Sequence, residues 1–183
     1  MDKTKNGVLT LTEVEVYGVY EDGLHDISVT ALQKSTARST TCQVIGEAFG
    51  SGETRRINCG PGVKGSVVRV SSLGKMPRPL SLCEVQVYGT YVTANTELIN
   101  LAYMKPTKMV SVYQNKVTEY DPLNAVDGSR SGRLYSSSCA ATSAVKNAGW
   151  QVDLQAIHLI KEVVITNRGD NYGVLFLPHI WID

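Results

Sequence analysis

Arg168, Gly169 and Asp170 close the stretch GWQVDLQAIHLIKEVVITNRGD, residues 149–170. An arginine at the end of a rigid strand is well placed to meet a ligand, because its planar guanidinium forks onto paired oxygens. The same side chain can instead serve the fold by pairing with a carboxylate such as Asp170, and both roles stand at this stage. Arg168-Gly169-Asp170 also spells the integrin-recognition tripeptide, although three-residue strings occur by chance. His25, His158 and His179 have no metal-ligand spacing and no partnered nucleophile, which leaves them packing or surface roles. No G-x-S-x-G, P-loop or G-x-G-x-x-G context is present. Glu13 and Glu15 share a strand face, but nothing else marks a glycosidase pair. The expectation is a non-catalytic protein.

Four cysteines occur, none in a C-x-x-C pair, which argues against zinc and fits two disulfides. Cys42 and Cys59 flank a Gly-rich hairpin region containing EAFGSGETRRIN, and a bond between them would close it. Four buried free thiols are the alternative, since cysteine is among the most buried residue types.

These groups need strands to hold them. Trp150, Val152 and Leu154 alternate with Gln151 and Asp153, the period of a half-buried strand. Val163, Val164 and Ile165 form a β-branched run suited to a pleated surface. The stretch therefore reads as two strands joined by a short connection, and Asn167 to Asp170 supply turn formers. Upstream, residues 24–32 and 66–70 read as strands, Cys59-Gly60-Pro61-Gly62 as a turn, 71–79 as a loop and 80–92 as a closing strand. Leu123 to Gly128 fits a single helical turn, and no sustained 3.6-residue period appears elsewhere. One strand is duplicated: LTLTEVEVYGVY from Leu9 matches LSLCEVQVYGTY from Leu80, with Thr12 opposite Cys83. A single repeated strand is not a solenoid.

Several of these motifs together resemble the F-type (fucose-binding) lectin domain. They are W-x-V-D-L with V-x-I-T-N-R-G-D, Asn100-Leu101-Ala102, Lys105-Pro106-Thr107, Asn124-Ala125-Val126-Asp127-Gly128, Ser138-Cys139 and the Leu80 to Gly89 strand. The resemblance implies an all-β jelly-roll sandwich of the galactose-binding or discoidin-like kind. It also implies calcium-supported recognition of fucose or a related glycan on glycoconjugates. In that family the segment like residues 100–183 precedes the segment like 24–92, and here the two are reversed. LPHIWID from Leu177 also resembles LHDISV from Leu24. One reading is a circular permutant, the other a slice across a tandem array whose halves await partners. Half a sandwich would expose a large apolar face, which soluble monomers avoid, and termini close in space tolerate permutation. The expected organisation is thus 1–23 as a duplicated strand, 24–92 and 100–183 as halves of one permuted domain, and 93–99 as linker. A homo-oligomer or tandem-repeat neighbours are the protein partners this arrangement admits.

The resemblance further implies a bond between Cys83 and Cys139, and a calcium site from Asn124, Asp127, Ser129, Ser138, Cys83 and Glu84. Calcium takes six to eight oxygens at flexible geometry, several of them main-chain carbonyls in that family. Without the resemblance, Asp127-Gly128 reads as a turn and Glu84 as a solvated edge charge. For the sugar, the family's motif is a His, then R-x-D, then a second basic residue. Arg168 and Asp170 match, but Ala141 stands at the His position and Leu175 at the second basic one. Asn171-Tyr172 replaces the family's adjacent cysteines. Each lost partner that leaves a buried group unpaired costs about 1–3 kcal/mol. Tyr172 or Phe176 would offer an apolar face to a sugar ring. The alternatives are a degenerate lectin fold acting in adhesion or assembly, or a non-lectin member of the discoidin-like group.

The bulk properties bound the remaining classes. A chain of 183 residues fills one domain. Its net charge of +1 makes no case for nucleic acid or an anionic membrane surface. No apolar run approaches the roughly 20 residues of a membrane helix. The start lacks an apolar signal core, whereas paired cysteines imply an oxidising, extracellular setting. A mature fragment or excised segment with an added Met1 would reconcile the two.

Overall fold

The computed structural model describes residues 24–92 and 97–170. The duplicated strand at 9–20, most of the expected linker, and Asn171, Tyr172, Leu175, Phe176 and His179 lie outside them. Among the described residues, nine strands run in the order β1 (Ile27–Gln33), β2 (Arg38–Ile45), β3 (Thr54–Ser72), β4 (Ser81–Leu82), β5 (Glu84–Tyr91), β6 (Ile99–Asn100), β7 (Thr107–Met109), β8 (Ala140–Ala141) and β9 (Gly149–Thr166). The expected turn at Leu123 is a 3-10 turn over Pro122–Val126. Seven strands form one antiparallel sheet in the order β2-β1-β3-β9-β5-β6, with β7 on β9 beside β5; β4 and β8 form a small second sheet. The protein is an all-β, galactose-binding-like sandwich. Both sequence segments contribute, since β9 lies hydrogen-bonded between β3 on one side and β5 and β7 on the other.

The alternation behaves as period 2 requires. Ile27, Val29 and Ala31 of β1 face inward, as do Trp150, Val152 and Leu154 of β9. They pack with Val68, Val70, Val85, Val87, Leu82 and Ala140 in one core cluster, which joins the large sheet to the small one. Burying Trp150 and each large aliphatic contributes about 1.5–3 kcal/mol. The Trp150 indole also donates to the Pro122 carbonyl at 2.9 Å, which ties the 3-10 turn to the sheet.

Three local expectations are corrected, the first being the closing strand over 80–92, which is split at Cys83 into β4 and β5 in different sheets. Residues 149–166 are one strand of 18 residues, not two strands and a connection. Cys59 to Gly62 is not a turn but part of β3, which runs unbroken through it. In the latter two places pairing lapses while the chain stays extended. Residues 59–62 oppose Lys161 alone, and residues 154–157 oppose Ser66. Proline lacks an amide for the ladder, so Pro61 fits such a bulge. Gly60 (φ 79°) and Gln155 (φ 68°) take the left-handed backbone these bulges need. The inward set of β9 changes phase, from 150, 152, 154 and 160 to 163 and 165, at Lys161, where its register with β5 slips between Tyr88 and Gly89.

Cys42 bonds to Cys59 and Cys83 to Cys139, so all four cysteines are paired. The first bond pins edge strand β2 to β3. The second joins the turn between β4 and β5 to the residue before β8.

Candidate functional site

The end of β9 is held from three sides. The Thr166 carbonyl accepts the Cys83 amide at 3.0 Å, and its hydroxyl meets that of Thr54 at 2.9 Å. Asn167, read above only as a turn former, is buried, and its amide donates to the Gly50 carbonyl at 2.9 Å. Arg168 and Asp170 form an ion pair through Nε and Oδ1. Asp170 also accepts the Leu134 amide at 3.1 Å, and the Gly132 carbonyl accepts the amides of Gly169 and Asp170. The Arg168 carbonyl accepts the Gly52 amide at 2.9 Å.

Three glycines make this convergence possible. A Cβ on Gly132 would lie 2.7 Å from the Gly169 nitrogen, and one on Gly169 would lie 3.1 Å from the Gly52 Cα. Three loops therefore meet backbone to backbone beneath the arginine, whose side chain is 22% exposed. Sequence reasoning missed Gly52, Gly132 and Asn167. The glycines in 50–52 and 128–132 marked only loops, and nothing local says that these loops touch.

Ala141, at the expected His position, is 2% exposed in β8, packed with Tyr120, Leu134, Cys83 and Cys139. The residue sits where the resemblance places it in sequence, but its environment is an apolar satellite core rather than an open polar wall.

The expected calcium residues divide into two groups. Glu84 opens β5 at 1% exposure. Its Oε2 accepts the Gly128 amide at 3.3 Å, and Oε1 has no hydrogen-bond partner among the described residues. Burial, with Asp127 nearby adding repulsion, pushes its carboxyl up to about 7. Asp127 ends the 3-10 turn and accepts the Ser129 amide at 2.7 Å. Gly128 (φ 88°) turns the chain so that its amide reaches Glu84. Asn124 donates to the carbonyls of Glu119 and Cys139 at 3.1 and 3.3 Å. Ser129 Oγ accepts the Ser131 amide at 3.3 Å, and the Ser138 hydroxyl bonds to that of Ser136 at 2.8 Å. The solvated edge charge considered for Glu84 is excluded by its burial. Among the described residues no three Asp, Glu, His or Cys side chains converge. A cation held here would therefore take carbonyl and hydroxyl oxygens beside the two carboxylates. The buried, half-partnered Glu84 fits that donor set.

Residues 124–175 match the family model of the NedA-like, galactose-binding domain. The chain is similar to a fucolectin of Anguilla anguilla, 36% identical over 69 residues, which are 38% of this chain and 44% of the relative. It is also similar to fucolectin-3 and fucolectin-6 of Anguilla japonica, at 44% and 46% identity over 50 residues, 27% of each chain. The fold is of the galactose-binding type, and its sequence is similar to fucolectins. The chain spans less than half the length of the curated relatives it matches. No solved structure matches it.

Proposed function

We propose that this chain is a non-catalytic, calcium-supported carbohydrate-binding module for fucose or a related glycan on glycoconjugates. Arg168 carries the reading. It stands at the end of a strand paired on both edges, partly exposed and aimed by Asp170, inside the stretch matched by the galactose-binding model. A guanidinium held in this way donates to adjacent hydroxyls without first losing its own rotamer freedom. Asp170 orients it, and Tyr172 lies two residues further along. Calcium is the proposed ligand of Asn124, Asp127, Ser129, Ser138, Cys83 and Glu84. Its charge would compensate the buried carboxylate and stiffen the loop from 124 to 139 that meets the arginine turn through Gly132 and Leu134. Residues 24–92 and 100–183 are proposed to act as one permuted domain, in an oxidising extracellular setting that suits the two disulfides.

A degenerate fold working through protein contacts is the second reading. It is favoured by the burial of Ala141 and by the Arg168–Asp170 pair, which occupies part of the guanidinium. Calorimetric titration with L-fucose, with calcium and after chelation, separates the two. Saturable heat that disappears in Arg168→Ala supports the sugar site. No heat from folded, calcium-loaded protein retires fucose, and a glycan array then distinguishes altered specificity from a structural module.

A further inference from the structure

The arginine turn is not the only place where this surface is organised for a ligand. The outer face of the large sheet carries a row of polar side chains across three neighbouring strands. Arg69 of β3 lies opposite Gln151 of β9, and Lys108 of β7 lies opposite the same Gln151 from the other side. The row is about 10 Å wide from Arg69 to Lys108, two strand spacings. Arg69 donates through Nε and Nη2 to the Gln151 Oε1 at 3.2 and 2.9 Å, so its partner there is a neutral amide.

One step along β9, the next outward position is Gly149. Gly149 is itself buried, and an open cleft of about 510 Å³ lies beside it, with Ser71 and Val110 among its walls and Leu73 and Asn147 also lining it. Leu73 and Val110 are exposed apolar groups. One step the other way, Asp153 pairs with Lys34, and Lys105 donates to Gln155 at 2.7 Å. Lys34, Arg69 and Lys108 thus lie along this stretch of the face with the Asp153 carboxylate, and Lys105 bonds beside it to Gln155. Lys34, and Lys108 at longer range, hold that Asp153 carboxyl below the usual range. Asp26, beyond Leu73, turns its own carboxylate to His25 at 3.1 Å.

We propose that this face is a second glycan site, which takes an acidic sugar whose sulfate or carboxylate sits on the Arg69–Gln151–Lys108 row. Its ring would lie in the cleft beside Gly149, against Ser71 and Val110. The charge complementarity is local, because the whole chain is nearly neutral at +1. A shallow, open cleft with apolar patches beside donors suits a hydroxylated ring carrying an anion better than a wholly apolar ligand. The site is independent of Arg168 and does not rest on the fucose reading.

The test is calorimetric titration at low and raised salt with a heparin-derived octasaccharide, a hyaluronan octasaccharide and a short DNA duplex. It uses the full chain, its Arg69→Gln/Lys108→Gln double variant and Arg168→Ala. Both positions of the double variant are exposed and outside the core, so folding is retained, and circular dichroism checks it. Expected is saturable, salt-sensitive binding of a sugar, weakened about tenfold or more in the double variant and unchanged in Arg168→Ala. Binding of heparin alone assigns the anion as sulfate; binding of hyaluronan as well shows that a carboxylate suffices. Absence of binding to either sugar, equal binding by the double variant, loss in Arg168→Ala, or DNA bound as tightly as the sugars would each overturn the proposal.

Discussion

Glu84 shows how much a single buried carboxylate constrains. Removing a charge from water is costly unless partners replace the hydration, and here one oxygen has a single amide and the other none among the described residues. Burial raises the carboxyl to about 7, so holding its proton relieves part of that cost, and the proposed calcium ion would relieve it by its charge. Calcium is therefore expected to raise the thermal midpoint of the native chain and to leave that of Glu84→Gln unmoved. At a concentration a hundredfold above the dissociation constant the gain is about 2.7 kcal/mol. Differential scanning with and without chelator measures it, and an unmoved native midpoint would remove calcium from the account. The Arg168–Asp170 ion pair was legible in the sequence as one of two roles for the arginine, because only Gly169 separates the two residues. The burial of Glu84 was not, since period 2 alone cannot tell an edge position facing water from one covered by a distant loop.

At the scale of elements, the site depends on β9 being one continuous strand and on loops that touch it without side chains. Gly132→Ala places a methyl against the Gly169 amide, so the arginine turn has to move. The expected result is a folded protein destabilised by about 1–3 kcal/mol, with sugar binding weakened as in Arg168→Ala. Unchanged titration would show that the turn is not the ligand site. β9 also carries a pH response. His158 is buried between strands, its ring 5.2 Å from that of Tyr91, and its Nδ1 lacks a partner among the described residues. Burial lowers its pKa, and Lys105 acts in the same direction. The folded state then binds its proton less readily than the unfolded chain. Its contribution to stability is complete above the ordinary value near 6.5 and is lost as pH falls through the lowered value. His158→Gln should flatten the fall in midpoint as pH drops below about 6.5, and an unchanged slope would refute the assignment. The strands themselves were readable from alternation. The bulges were not, because an extra residue is defined only against the partner strand, and the partners of β9 lie up to 112 residues away in sequence, as in Thr54 and Thr166.

At the scale of the molecule, the two disulfides close loops of different length, with sequence separations of 17 and 56. On loop entropy alone, removing Cys42–Cys59 costs about 3 kcal/mol and removing Cys83–Cys139 about 4 kcal/mol. The second loss also frees the strand that carries Glu84. Paired Cys→Ala variants in urea should show the larger loss of stability for Cys83–Cys139, together with loss of any calcium response. Equal losses with the response intact would separate the bond from the loop. The amino-acid sequence by itself determined the strand periods, the near absence of helix, the even cysteine count and the lectin-like residues with their departures at Ala141 and Leu175. All of these are properties of a segment considered alone. The tertiary structure bore out the expected Cys42–Cys59 and Cys83–Cys139 bonds over four free thiols, and it alone showed that three glycine loops meet at the arginine turn and that Arg69, Gln151 and Lys108 form one row. Pairing, close approach and charge clustering depend on which distant segments the sheet brings side by side, and that follows from burying every apolar face at once.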